Sequence, residues 1–530
     1  MSENDLAPVA DPRLIGGLSR RSFLGAALLA GAGASVLTGC TVADSGARVD
    51  KRHKDGILQI GIAAAPSNIN PLDSGSEVTR WISEPVVETL YAYDDELNSV
   101  PLLADGEPVV SADKLTWTIK LRQGITWHNG DPFTADDVVA TFGHINALSS
   151  GSEWVTYILG YVQTFSALDK HTMQIGLAKP YGLLRSHLTN LPIVHKDFVN
   201  RKNAMMGTGP FKLDSFNPGQ SFTMSAYPGY HGTKPALKGI QYTVFQDGST
   251  RMVSLTQGKV DLITSVPYQN LKAAQADKAL RVTAVEAPLD ILSYVHVAAE
   301  PFSDENFRRA IAVATDRAGV QGRVFGGQAE IGQGPIGPAE MGYDPSLQVY
   351  SAAPDLAKAG EYLAKAKTSK RSFTLTIGIE DTIRNVATVL VAGWAKIGVT
   401  VTIEQLQGGA WSNSLVGRKY DMIMDLFQSG FTSGPANYLA LAPADATNVL
   451  SCGYKNPEVV ALTATVWQTS DMAERRDALA RMNKILADDM VVFPPVYPKL
   501  VVAQRRETSP IDTKLLRISR LSPQKMSFIS

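Results

Sequence analysis

The chain predicts an α/β protein of at least two lobes, and three observations carry that reading. Apolar residues repeat with period two and with helical period in alternation along the chain, so strands and helices interleave. The 530 residues exceed what one hydrophobic core usually supports. Only Cys40 and Cys452 are present, so core burial rather than a disulfide framework must hold the body together.

Residues 19–40 stand apart from that body. Ser19-Arg20-Arg21-Ser22-Phe23-Leu24 sets two arginines ahead of an apolar run from Phe23 to Leu37, and Leu37-Thr38-Gly39-Cys40 closes it. A charged stretch followed by about 15 apolar residues is the pattern of an export leader, short of the roughly 20 that span a bilayer. The run is rich in Gly and Ala, which makes a poor core helix. Arg20-Arg21 before Phe-Leu resembles the twin-arginine export signal. Leu37-Thr38-Gly39-Cys40 resembles the lipobox of bacterial lipoproteins, in which the Cys thiol is lipidated and becomes the new N-terminus. These resemblances imply removal of 1–39 and a tether from Cys40 to the outer face of the bacterial cytoplasmic membrane. Two acyl chains hold stably where one holds weakly. Residues 41–56 are small, polar and charged, which suits a flexible spacer.

The elements then follow in order. Leu58, Ile60 and Ile62 alternate as in a strand, and Leu115, Trp117, Ile119 and Leu121 alternate with polar neighbours as in a half-buried one. Thr134 and Asp137 have capping-box spacing ahead of a helix whose Val138, Phe142 and Ile145 share a face. Gly207-Thr208-Gly209-Pro210 is a breaker cluster where the chain can change lobe. Ile240, Tyr242 and Val244 predict a strand. Phe307, Ala310, Ile311 and Ala314 predict a helix capped by Ser303 or Asp304. Ile383, Val386, Leu390, Trp394 and Ile397 form another helical stripe, ended by Gly398 before a strand with Val399, Val401 and Ile403. Asp471 and Glu474 open a late helix carrying Leu479, Met482 and Leu486.

Chemistry-bearing motifs are missing. Formal net charge is −1, and residues 1–39 carry as many acidic as basic groups, which argues against a nucleic-acid partner. No Gly-x-Ser-x-Gly, His-Glu-x-x-His, Cys-x-x-Cys or phosphate-binding Gly-rich loop occurs. The eight histidines show no i, i+4 pair, so no metal and no cofactor is expected. Asp136-Asp137 and Asp488-Asp489 point to different faces of a helix, which suits capping or solvation better than a catalytic dyad. His128, in Trp127-His128-Asn129-Gly130-Asp131, reads as a hydrogen-bonded structural histidine.

The stretch Trp117-Thr118-Ile119-Lys120-Leu121-Arg122-Gln123-Gly124-Ile125-Thr126-Trp127-His128-Asn129-Gly130-Asp131-Pro132-Phe133-Thr134-Ala135-Asp136-Asp137-Val138 resembles the signature of family 5 extracellular solute-binding proteins. These are the oligopeptide-, dipeptide- and nickel-binding components of ABC importers. Gly207-Thr208-Gly209-Pro210-Phe211, Gly258-Lys259-Val260-Asp261, the run from Pro301 through Arg308-Arg309-Ala310 to Asp316-Arg317, and Tyr420-Asp421-Met422 resemble further family segments in order. The resemblance covers Ile57 to the C-terminus. It implies a periplasmic-binding-protein-like body whose two lobes, built from three regions, close on ligand about hinge crossovers near 207–210 and 287–293. The regions expected are a signal peptide at 1–39, a tether at 40–56, lobe I at 57–92, 207–288 and 501–530, domain II at 93–206, and domain III at 289–500. Within the motifs, Trp117, Leu121 and Val138 read as core, Gly124 and Gly130 as turn residues, and Arg308 and Asp316 as structural charges.

The same resemblance implies the function: a lipid-anchored, monomeric receptor, not an enzyme, that delivers a peptide-like or other solute to ABC permease and ATPase subunits. Its pocket would draw on Ser74, Gly75, Ser76 and Thr79, on Trp411, and on Phe427, Gly430 and Phe431. The family's peptide binders carry an acidic residue that captures the peptide ammonium, and here Gly430 stands at that place, with Asp425 the nearest carboxylate in sequence. Unmodified di- and tripeptides are therefore expected to bind poorly unless another carboxylate such as Asp425 replaces the anchor, while modified peptides, nickel chelates, haem and uncharged or glycosidic ligands stay open. A secreted lipoprotein hydrolase and a sensor reusing the binding fold are the rival readings.

Overall fold

The computed structural model describes residues 55–64, 68–73, 77–148, 161–428 and 452–529. Three main sheets organise them. An eight-stranded mixed sheet runs in the order Leu280–Glu286, Val496–Arg505, Leu262–Ile263, Ile57–Ile62, Gly239–Val244, Ser221–Ala226 and Phe211–Asn217, with Ala329–Ile331 also paired to Val496–Arg505. A five-stranded sheet runs Thr400–Gln405, Ser372–Ile377, Met422–Gln428, Leu289–Val295 and Val492–Phe493. A four-stranded antiparallel sheet joins Val109–Val110, Thr116–Lys120, Thr172–Leu177 and Val162–Asp169.

Each sheet buries its own apolar core. Helix Ala135–Ala147 packs Val138, Phe142 and Ile145 against Ile119, Met173 and Ile175 of the four-stranded sheet. The eight-stranded sheet buries Leu58, Ile60 and Tyr242 on one face and Ile263, Val501 and Ala503 on the other. In the five-stranded sheet, Ile291, Val295, Met422 and Met424 face a core shared with Ile383, Val386, Leu390 and Trp394 of helix Asp381–Ala395. Leu292, Tyr294, Ile423 and Phe427 face the opposite core with Leu479, Met482 and Leu486 of helix Met472–Asp488. The two sets alternate along both strands, as the two-residue side-chain period requires.

Local signals act where the sequence places them. Asp137 accepts the Thr134 N–H at 3.0 Å, closing the capping box. It is buried rather than solvated, and also accepts Trp127 Nε1 at 3.2 Å and Lys196 N at 3.1 Å. Asp304, not Ser303, caps helix Glu305–Val313, accepting from Asn306 N and Phe307 N, and Asp471 caps the late helix in the same way. Gly124 and Gly130 take φ +78° and +90°, which a side chain resists. His128 is buried and holds Gly209 O at 2.9 Å through Nε2. Arg308 donates to Phe302 O and Asp489 O, and Asp316 caps the Gly319 N–H, so both serve the fold.

The chain passes between the eight- and five-stranded sheets at 287–288 and again at Pro494-Pro495. The segment 207–210 does something else. Its Gly209 N donates to Val86 O at 3.0 Å, the next N–H, of Phe211, donates to Pro85 O at 2.9 Å, and Gly207 O accepts from His128 N. It thereby stitches the eight-stranded sheet to the body around the four-stranded one.

Candidate functional site

The crossovers define where a crevice forms. Strand Ser372–Ile377 is parallel to Thr400–Gln405 and to Met422–Gln428, so all three direct their carboxyl ends the same way. Gln428 at that end pairs with Leu289, the first strand residue after the crossover. In the other sheet, Ile57–Ile62 is parallel to Gly239–Val244 and to Leu262–Ile263. Leu262 opposes Gln504 and Ile263 opposes Ala503, so these strands run toward the Val496 end, where the chain returns. Both sheets therefore present carboxyl ends of parallel strands at the crossovers, the place where open α/β sheets take ligands.

Two of the expected pocket residues meet there. Phe427 lies on the last turn of pleat before Gln428, and helix Gly408–Val416 follows strand Thr400–Gln405 after a short link. Trp411 of that helix lies 5.9 Å from Phe427 between ring centroids, and Tyr294 meets Phe427 edge-on at 5.3 Å. Phe427 is buried and Trp411 half-buried, so the pair is an aromatic wall anchored in the core. The indole Nε1 of Trp411 is buried and finds no acceptor among the described residues. Thr79 is buried in helix Glu77–Ser83, which follows the first strand of the eight-stranded sheet. Ser74, Gly75, Ser76, Gly430 and Phe431 lie outside the described residues, as do Arg20, Arg21 and Cys40.

Asp425 shares the Phe427 face two residues earlier, opposite Leu292. Burial pushes its carboxyl up to about 6, partly offset by the Leu426 N–H. Apolar Ile379 and Leu426 are 51% and 45% exposed at the same end of the sheet. Sequence reasoning missed a second carboxyl here. Asp290 is the register partner of Phe427, is 1% exposed, and faces Glu340. An acid two residues after an inter-sheet link was the signal available.

A cavity of about 180 Å³ lies elsewhere, bordered by Arg80, Glu84, Glu88, Tyr93, Arg520 and Lys525. No strand of the five-stranded sheet lines it. Burial raises the Glu84 carboxyl against the pull of Arg520, whose Nε is 3.5 Å away, and of Arg80. Two acids face three bases across this space, so the Glu84 carboxyl is answered by Arg520 and Arg80 rather than left for a solute. We place no solute there. Among the described residues no group of three His, Cys, Asp or Glu gathers to hold a metal, and no helix is long and apolar enough to cross a membrane.

The fold is a mixed α/β body whose sheets present parallel-strand carboxyl ends at shared crossovers. Residues 98–448 match the family described as bacterial extracellular solute-binding proteins, family 5 middle, and the chain belongs to that family. The chain is 24% identical over 457 residues to the probable D,D-dipeptide-binding periplasmic protein DdpA of Escherichia coli K12, covering 82% of this chain and 87% of that one. It is similar to the DppA periplasmic binding protein of Helicobacter pylori, solved with the peptide STSA. There the TM-score is 0.77 at 21% identity, over 89% of this chain and 98% of that one. It is likewise similar to NikZ of Campylobacter jejuni, solved with Ni(L-His), with TM-score 0.74 at 18% identity over 89% and 99% of the two chains. The protein is thus an extracytoplasmic solute-binding protein of the ABC importer class, and its relatives are binding proteins rather than enzymes.

Proposed function

We propose that this chain is the lipid-anchored receptor of an ABC import system, which captures a peptide-like solute between its two sheets and delivers it to the permease. The observation that carries the reading is the convergence of Trp411, Phe427 and the parallel-strand carboxyl ends on the two crossovers. Ligand would favour the closed form by its differential affinity for closed over open states. Ser74, Gly75, Ser76, Thr79, Gly430 and Phe431 are the further ligand contacts of this reading. The arrangement calls for binding and release, with no catalytic step.

The related proteins are described as binding a D,D-dipeptide, a tetrapeptide and a nickel–histidine chelate. We place this receptor among the peptide-like specificities but away from ordinary free peptides, because Gly430 offers no carboxylate and an unpaired buried ammonium costs several kcal/mol. Native mass spectrometry of the protein purified from its host should show co-purified cargo. Titration calorimetry with di- and tripeptides and their N-acetylated forms should show acetylated ligands binding at least as well. Tight binding of free peptides that acetylation abolishes would overturn that specificity. The anchor has its own test: Cys40→Ala should move the protein from the membrane fraction to the soluble one, and retention in the membrane would refute lipidation at this residue.

A further inference from the structure

The described chain never passes directly from the four-stranded body to the five-stranded one, yet the two touch. The eight-stranded sheet stands between them in the chain, joined to the first by the 207–211 seam and to the second at the crossovers and beside Ala329–Ile331. Helix Pro457–Gln468 packs Val459, Leu462 and Val466 into the core that Leu479 and Met482 share with the five-stranded sheet. Its Trp467 points elsewhere and packs against the core of the four-stranded body. The indole covers two tyrosines of that body, its centroid 5.5 Å from Tyr161 and 5.9 Å from Tyr181, and those two rings stack on each other at 4.0 Å. Trp467 O accepts the Gly182 N–H at 2.9 Å.

Both sides are shaped for this approach. On one, Arg475 of helix Met472–Asp488 donates to Val466 O at 3.2 Å and to Thr469 O, which fixes the turn after Trp467. On the other, Gly182 leaves room that no other residue would: a Cβ there would lie 1.8 Å from Thr469 O, 2.2 Å from Thr469 C and 2.8 Å from Ser470 N. These three nearest atoms are all backbone and all across the contact. Gly182 does not take a positive φ, so its own conformation makes no demand for glycine. The demand comes from the neighbouring body. Burial keeps the side chains here neutral, pushing Tyr181 well above its ordinary value and, with Arg475, pushing His187 down to about 3. The contact therefore rests on ring faces and a neutral hydrogen bond.

We propose that Trp467 and the face made by Tyr161, Tyr181 and Gly182 form a clasp that engages when the lobes close, and so sets the affinity for solute from outside the crevice. The inference rests on the reading that the lobes close about the crossovers. The seam moves the four- and eight-stranded bodies as one, so rotation of the five-stranded body about 287–288 and Pro494-Pro495 moves Trp467 relative to Gly182. A ring stack and one neutral hydrogen bond are each small terms, enough together to shift a closure equilibrium about tenfold and weak enough to release. The clasp touches no solute. It favours the closed form for every cargo alike, and raises apparent affinity through the fraction of chain held competent to bind.

The test uses no solute, so its failure would leave solute capture standing. The full chain, Gly182→Ala and Trp467→Ala are compared by small-angle scattering, by calorimetric midpoint and by hydrogen exchange at the Gly182 amide. Gly207→Ala, whose Cβ would meet Val86 O in the seam, is the reference for a contact that belongs to the fold itself. Both clasp variants should have a larger radius of gyration than the parent. The double variant should be no larger than the singles, because either change opens the same contact. In Trp467→Ala the Gly182 amide should exchange about tenfold or more faster than in the parent. The midpoint of Gly182→Ala should fall less than that of Gly207→Ala. A radius unchanged in either clasp variant, or an unchanged exchange rate at Gly182, would overturn the proposal. So would a Gly182→Ala midpoint as low as that of Gly207→Ala, which would make the contact a permanent part of the fold.

Discussion

The eight-stranded sheet is joined to its two neighbours by junctions of opposite character. Toward the four-stranded sheet, 207–211 is hydrogen-bonded to 85–88, and Ile193 N reaches Glu88 O at 2.8 Å. The buried Glu88 carboxylate receives Thr208 Oγ1 at 2.8 Å, Tyr230 OH at 3.0 Å and His231 Nε2 at 2.7 Å. Toward the five-stranded sheet the chain crosses at 287–288 and at Pro494-Pro495, and between strands of that sheet it also pairs Ala329–Ile331 with Val496–Arg505; the buried Asp290 beside the first link faces Glu340. The first junction pairs its charge and locks two bodies into one. At the second, burial raises the carboxyls of Asp290 and Glu340, which face each other. The difference teaches that burial alone does not rank a charge; the donors within reach do.

The sharpest way to break this contrast is Gly207→Ala. A Cβ there would lie 1.7 Å from Val86 O, a backbone atom that cannot swing away. We expect a loss of more than about 3 kcal/mol by denaturant unfolding, and a milder effect would show the seam to be loose. Next comes Glu88→Ala, which strips the acceptor from three buried or half-buried donors and should cost about 2–3 kcal/mol. An unchanged midpoint would remove the distinction between the junctions. At the other junction the sign reverses: Asp290→Asn should stabilise the protein at pH 8.5 by about 1–2 kcal/mol and give no gain at pH 4. The smallest effect belongs to Gly124→Ala, where space is open but φ is +78°, with an expected loss of about 1 kcal/mol. A loss equal to that of Gly207→Ala would mean that backbone conformation, not the seam, governs both.

Legibility followed interaction range. The strand at Ile57, the capping box of Thr134 and Asp137, the caps Asp304 and Asp471, and the helix end at Gly398 are written in neighbouring residues and stand in the structure as read. His128 was legible as structural because a turn-rich setting supplies nearby carbonyls. The return crossover at Pro494-Pro495 was not, since nothing local says which sheet a strand enters. Trp411 and Phe427 were singled out separately, and their contact is a tertiary fact. Asp290 was invisible as a feature because its importance lies in Glu340, fifty positions away in the chain.

The sequence by itself determined the order of helices and strands, the caps and the family, because each rests on short-range pattern or on ordered motifs. Tertiary structure alone decided which buried carboxyl gathers donors, as Glu88 does, and which faces another carboxyl, as Asp290 does. Those outcomes depend on distances between groups brought together from Glu88 and Tyr230, or from Asp290, Glu340 and Tyr497. Electrostatic and hydrogen-bond energies at such sites are set by geometry and desolvation, and neither is encoded in spacing along the chain.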